Sequence, residues 1–286
     1  MGKQPPAWED YLRWLEENTP YEDMIRSLQP RERQAFRAIT VRLTDYQLYP
    51  WQGRFLARIS GRPTYMLGIP SGLGKTYIAG AWLARLGRPV RVLFLVPTLA
   101  LGVQQTLFAR QHLLAEAYLV TSEMPPSERR ELEVWNAPFV VATPQVFYND
   151  NLKDFEGELE EAREFPDPDD AFAYLSEVFG SEGWHFPYDV VIADEAHNYI
   201  GQTAGHSVLL AARSFPGVKI LGLSATPQLH DRRRLRELKR VFPDIRPAPG
   251  DLWRDVPPRK LYVLSLIHIS EPTRPRLISY AVFCLK

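Results

Sequence analysis

The chain has 286 residues, 45% hydrophobic and 24% charged, with 34 basic side chains balanced by 34 acidic ones and a single cysteine, Cys284. This composition predicts an ordinary soluble globular protein. Zero formal charge excludes a polycation that seeks nucleic acid with its whole surface, so any such binding needs a local patch, and one cysteine excludes an internal disulfide framework or a cysteine-based zinc site.

In chain order, residues 1–45 form a polar extension expected to be helical. Trp8, Leu12 and Leu15 recur at helical spacing, and a second run lies near Arg31–Leu43. The start, "MGKQPPAWEDYL", has no apolar signal core. The longest apolar run, Val92–Val103, is too short to span a bilayer and contains Pro97, so the expected location is cytoplasmic with no membrane partner. From Tyr46 the texture changes. Short apolar runs at 64–69, 90–96, 117–121, 138–143, 188–194 and 218–224 alternate with amphipathic stretches. Continuously apolar runs suit strands covered on both faces, and the helices between them supply the crossovers of a parallel sheet. The prediction is an α/β domain over residues 46–245, a parallel sheet with helices on both faces, whose ligand loops lie at the carboxyl ends of the strands.

The strand "TYMLGI" runs straight into Pro70-Ser71-Gly72-Leu73-Gly74-Lys75-Thr76 and then a helix. Gly72 and Gly74 permit backbone angles that turn consecutive N–H groups toward one anion, and the helix start adds its dipole. The backbone of Ser71, Gly72, Leu73 and Gly74 would cradle phosphates, Lys75 would reach the β- and γ-phosphates, and the Thr76 hydroxyl would join the shell of Mg²⁺. A strict phosphate-loop pattern has glycine where Ile69 stands; the strand before and the helix after supply the missing context.

"VVIADEAHNYI" places Asp194 and Glu195 at the end of a buried strand. Two adjacent carboxylates there need cations or hydrogen bonds, which a magnesium nucleotide supplies. Asp194 would hold the metal through its water shell, and Glu195 would orient and deprotonate an attacking water. His197 also fits a plain surface histidine. Residues about 151–187 interrupt the strand rhythm with the acidic, proline-broken "EGELEEAREFPDPDD". Either a solvated surface insertion or a regulatory flap fits. Arg232, Arg236 and Arg240 share one face of a helix, suited to solvent or to phosphates.

In this order the segments resemble the first RecA-like motor domain of a superfamily 2 helicase, a P-loop NTPase with a DEAH box. "YPWQ" is similar to the glutamine motif, "IPSGLGKT" to motif I, "FLVPTLALGVQQ" to motif Ia, "VVATPQVFYND" to motif Ib, "DEAH" to motif II and "LGLSATP" to motif III. The finer pattern of "PSGLGKT", "TPQVFYND" and "DEAHN" resembles the Hef and FANCM group of branched-DNA translocases. "LSATP" departs from that group's motif III, and Swi2/Snf2-type duplex translocases or RNA-directed relatives share much of the rest. The resemblance implies ATP and Mg²⁺ as cofactors, Gln52 reading adenine, and Lys75 and Glu195 as catalytic groups. It also implies nucleic-acid contacts, to DNA before RNA, at Pro97-Thr98 and Thr143-Pro144. A hydroxyl cap followed by a first-turn proline fits the latter pair. His197, Ser224 and Thr226 would couple nucleotide state to grip on the polymer.

Such a helicase continues into a second RecA-like domain that donates an arginine to the departing phosphate. Here residues 246–263 fit a linker and the start of a further strand. Residues 264–286 resemble the translation of a sequencing adapter, which implies a truncated reading frame and a segment that turns over ATP poorly alone.

Overall fold

A computed structural model describes residues 20–44, 48–59, 64–69, 73–225 and 232–246. Outside them lie the expected helix around Trp8–Leu15, Ser71 and Gly72, Thr226, and the linker and tail beyond 246.

Seven strands form one sheet: β1 (Thr64–Gly68), β2 (Val92–Leu95), β3 (Ala117–Val120), β4 (Phe139–Ala142), β5 (Val190–Ala193), β6 (Lys219–Ser224) and β7 (Ile245–Arg246). Their order is β3-β4-β2-β5-β6-β1-β7, and every pairing is parallel. Six match the apolar runs seen in the sequence. β7 lies in a stretch that offers no apolar run, and it pairs through two residues alone, Met66 with Ile245 and Leu67 with Arg246. The continuous apolarity has the expected cause: alternate side chains enter opposite cores. Val92 and Phe94 face one core, Leu93 and Leu95 the other.

The first core is covered by α1 (Tyr21–Leu28), α2 (Pro50–Ile59), α3 (Lys75–Arg85) and α4 (Leu99–His112), through Ile25, Phe55, Ile78 and Leu107 among others. Beyond the short α5 (Pro126–Glu131), the second core is covered by α6 (Pro144–Asn151), α7 (Glu156–Glu164), α8 (Pro168–Ser181), α9 (Thr203–Arg213) and α10 (Arg232–Val241), through Phe147, Leu159, Leu175, Val208 and Leu238. The architecture is the RecA-like α/β sandwich. Among the described residues no helix is long and apolar enough to cross a membrane.

Two expectations are corrected. Arg31–Leu43 is not helical: the helix of this region is α1, and the following chain is extended, with Ile39 and Val90 exchanging backbone hydrogen bonds of 3.0 and 2.9 Å. The β-branched Ile39-Thr40-Val41 run favours that ladder over a helix, and Val41 is buried in the first core. The acidic segment is not a solvated insertion either. It folds as the α7–α8 pair, whose Leu159, Ala162, Leu175 and Phe179 are all at 1% exposure or less. An aromatic knot of Phe155, Phe179, Trp184 and Phe215 ties the pair to the loop after α9. Its carboxylates occupy the outer stripe of amphipathic helices, so the composition looked solvated while the apolar stripe is core.

Candidate active site

In an all-parallel sheet every strand ends at one rim. β6 lies between β1 and β5, so the loops leaving β1 and β5 flank the end of β6. Gly68 is in register with Ser224, and Ala193 with Gly222.

At the β1 end, Gly74 precedes α3 in the left-handed conformation, φ 77°. A side chain there would be strained, so glycine is what lets the loop turn sharply into the helix. Lys75 is the first residue of α3, and its Nζ lies 3.0 Å from Oε1 of Glu195. Gln52 of α2 is buried behind this loop. Its Oε1 accepts the Tyr49 N–H at 2.9 Å and its Nε2 donates to the Leu73 carbonyl at 3.1 Å. The carboxamide expected to read adenine thus also ties α2 to the loop.

At the β5 end, the Asp194 N–H donates to the Leu95 carbonyl at 2.9 Å, continuing the ladder one residue past the strand. Asp194 is 7% exposed. Burial, opposed by Lys75 and reinforced by Glu195, pushes its carboxyl up to about 6. Its Oδ1 accepts the Glu195 N–H at 3.0 Å. Glu195 takes φ 49°, left-handed for a non-glycine residue. Such a conformation costs about 1–3 kcal/mol and needs surrounding contacts to hold it. Here they are Lys75, the Ala225 N–H donating to Oε2 at 3.3 Å, and His197 Nδ1 at 3.5 Å from the same oxygen. His197 Nδ1 is in turn 2.8 Å from Ser224 Oγ. Burial lowers the imidazole's proton affinity, which favours the neutral ring at pH 7.

Lys75, Asp194, Glu195, His197 and Ser224 therefore form one connected cluster, with Thr76 beside Lys75 at the start of α3. Gln105 of α4 reaches Thr76, its Nε2 3.4 Å from Oγ1. Gln105 closes the "FLVPTLALGVQQ" segment, but its residue type alone gives no sign of a contact with Thr76. Pro97-Thr98 and Thr143-Pro144 leave β2 and β4, neighbouring strands on the far side of β5. Thr98 is the N-cap of α4, and its hydroxyl accepts the Leu101 N–H at 3.4 Å. Pro144 opens α6 as expected, but the Thr143 side chain makes no capping hydrogen bond. That hydroxyl is not consumed by its own helix.

The Thr76 hydroxyl and the Asp194 carboxylate are hard oxygen donors of the kind Mg²⁺ takes together with substrate phosphates. A second charge near Asp194 would relieve the penalty that burial now imposes on its ionised form. The residues present thus fit a magnesium nucleotide.

A parallel sheet with a glycine-turned lysine and strand-end acids meeting at one rim defines the P-loop nucleotide-binding class. Within it, the family model described as "Type III restriction enzyme, res subunit" matches residues 26–229, and the chain belongs to that helicase family. Family membership carries ATP use with it, usually with Mg²⁺. No curated protein matches the chain. Among solved structures it is similar to the Hef helicase domain of Pyrococcus furiosus, at 22% identity and TM-score 0.49, over 73% of this chain and 40% of that one. It is similar also to the UvsW helicase of bacteriophage T4, at 15% identity and TM-score 0.47, over 84% and 77% of the two chains. The chain thus spans well under two thirds of the Hef domain's length.

Proposed function

We propose that the chain is the ATP-binding first motor domain of a superfamily 2 DNA helicase or translocase, with hydrolysis coupled to movement on DNA once a second RecA-like domain completes the site. The observation that carries this reading is the contact between Lys75 and Glu195, which brings the two halves of a nucleotide pocket together at one rim.

In this reading Lys75 leaves Glu195 for the β- and γ-phosphates when nucleotide enters. The loop through Ser71, Gly72, Leu73 and Gly74 would supply backbone N–H groups, and Thr76 and Asp194 would hold Mg²⁺, which when bound supplies charge that neutralises the phosphates. Glu195, freed from Lys75, accepts the proton of the attacking water. Its second oxygen already takes the Ala225 N–H, and His197 bridges that oxygen to Ser224. In this reading Ser224 and Ala225 sense what occupies the pocket, and Thr226, next in sequence, would join them. Pro97-Thr98 and Thr143-Pro144 contact backbone phosphates, which positions the polymer without reading its sequence. DNA is favoured by the likeness of "TPQVFYND" and "DEAHN" to the Hef and FANCM group.

Calorimetric titration of the chain with ATP tests the pocket. Binding should require Mg²⁺ and vanish in Lys75→Met; metal-independent binding that survives the substitution would refute it. The polymer assignment is tested on the protein completed with a second motor domain. Forked DNA should stimulate hydrolysis more than linear duplex or RNA, and stronger stimulation by RNA would overturn the DNA assignment.

A further inference from the structure

The buried face of α4 is apolar, with Val103, Leu107, Phe108 and Ala109 in the first core, except for two polar residues side by side, Gln105 and Thr106. Thr106 is satisfied locally, its hydroxyl donating to the Gly102 carbonyl one turn back at 2.8 Å. Gln105 is not. It is 5% exposed, its Nε2 donates to Thr76 Oγ1 at 3.4 Å, and its Oε1 is buried without a hydrogen-bond partner. A leucine or methionine at this position would bury its surface and strand nothing. The amide therefore costs the folded chain stability, and a buried polar atom left unsatisfied in a native core asks for a reason beyond packing. Its one hydrogen-bond partner among the described residues is Thr76.

Packing on both sides holds this contact in place. α3, which carries Thr76, lies close against α4: a methyl added to Gly80 would stand 2.7 Å from Leu113 Cδ2 and 3.5 Å from the Phe108 ring. Tyr77, next to Thr76, meets the Phe108 ring edge-on at 5.0 Å. Three residues before Gln105, α4 sits equally tightly on the sheet, where a methyl at Gly102 would stand 2.8 Å from Leu119 Cδ1. Close-packed contacts of this kind fix the separation of amide and hydroxyl.

A threonine hydroxyl has one proton and two lone pairs. With Nε2 donating to it, one lone pair is taken and the proton must point away from Gln105. What remains, one lone pair and one donor, is what a cation and a phosphate oxygen require. Turned over, the amide would take that proton on Oε1 and strand Nε2 instead; in both orientations Gln105 sets the hydroxyl and one amide atom lacks a partner. We propose that Gln105 is a positioning residue for the metal side of the nucleotide pocket, fixing through Thr76 how the hydroxyl presents its lone pairs and its proton. The inference rests on the nucleotide reading above, in which Thr76 would hold Mg²⁺.

Gln105→Met keeps the length of the side chain and removes the amide. Urea unfolding without nucleotide and calorimetric titration with MgATP, each on the parent chain and this variant, separate positioning from packing. The unfolding midpoint should stay the same or rise, because the stranded acceptor is gone. MgATP affinity should fall about tenfold, the worth of one hydrogen bond. Undiminished affinity in the variant overturns the proposal, and so does a loss of affinity that comes with a lower midpoint, which would make Gln105 a packing residue. A parent chain that binds no MgATP refutes the pocket itself and this inference with it, whereas equal binding by parent and variant refutes the inference alone.

Discussion

Lys75 and Glu195, 120 positions apart in the chain, face each other at 3.0 Å and neutralise one another. Their side chains are 11% and 23% exposed, so the pair is neither a solvent-screened surface bridge nor a fully desolvated one. The same lysine opposes the ionisation penalty of Asp194. One cation thus holds two carboxylates at the rim, and a ligand that recruits Lys75 changes the electrostatics of both.

From this pairing follows an asymmetry between two substitutions. Glu195→Gln removes the anion that holds Lys75, so MgATP affinity should stay the same or rise. Under the proposed function, turnover measured together with a second motor domain should fall about 10²–10⁴-fold with loss of the general base. Lys75→Met leaves Glu195 without its cation and should abolish binding. Parallel calorimetry and steady-state hydrolysis check both, and undiminished turnover in Glu195→Gln would remove the base assignment.

Gln52 separates a structural role from a recognition role. Its carboxamide satisfies the Tyr49 N–H and the Leu73 carbonyl, and it is 1% exposed. Gln52→Leu strands both backbone groups, and the nucleotide-free protein should lose about 1–3 kcal/mol in denaturant unfolding. A residue that only reads adenine would leave nucleotide-free stability unchanged and alter just the preference for ATP over GTP.

The legible parts of this fold are those in which one residue type has a single physical use. The glycine-lysine turn and the strand-end acids could be placed because phosphates and buried carboxylates demand those groups, and six strands because both their faces are covered. Three features were not legible. The left-handed backbone of Glu195 depends on Lys75 of α3 and on Ala225, just past β6. β7 is two residues long and carries no periodicity. The α7–α8 pair hides its core stripe, Leu159, Ala162, Leu175 and Phe179, among carboxylates and prolines that dominate the composition.

The packing of α7 and α8 makes the acidic segment part of the fold. Leu159→Ala and Phe179→Ala each delete a side chain at 1% exposure or less in the second core. Each should cost about 2–5 kcal/mol, measured by chemical denaturation. Deleting 156–183 should leave aggregated or partly folded protein with the second core exposed. A soluble deletion variant with unchanged midpoint would show instead that the segment is dispensable.

His206 sets a pH dependence with a definite sign. Burial, with Arg163 and Arg240 adding to it, pushes the imidazole from its ordinary 6.5 down to about 3. Between those values the unfolded chain binds a proton that the folded chain refuses, so unfolding free energy must fall as pH drops through that window. Above pH 6.5 both states are neutral and the contribution is zero. The whole effect is on the order of a few kcal/mol. Carboxylates also titrate in this range, so the diagnostic quantity is a difference between two proteins. Urea midpoints of the parent chain and His206→Gln, followed from pH 7.5 down to 4.5 (about two units below the free imidazole value), should diverge, the parent losing stability more steeply. Parallel curves would mean that His206 takes up its proton in the folded state, with its Nε2 finding a partner on protonation.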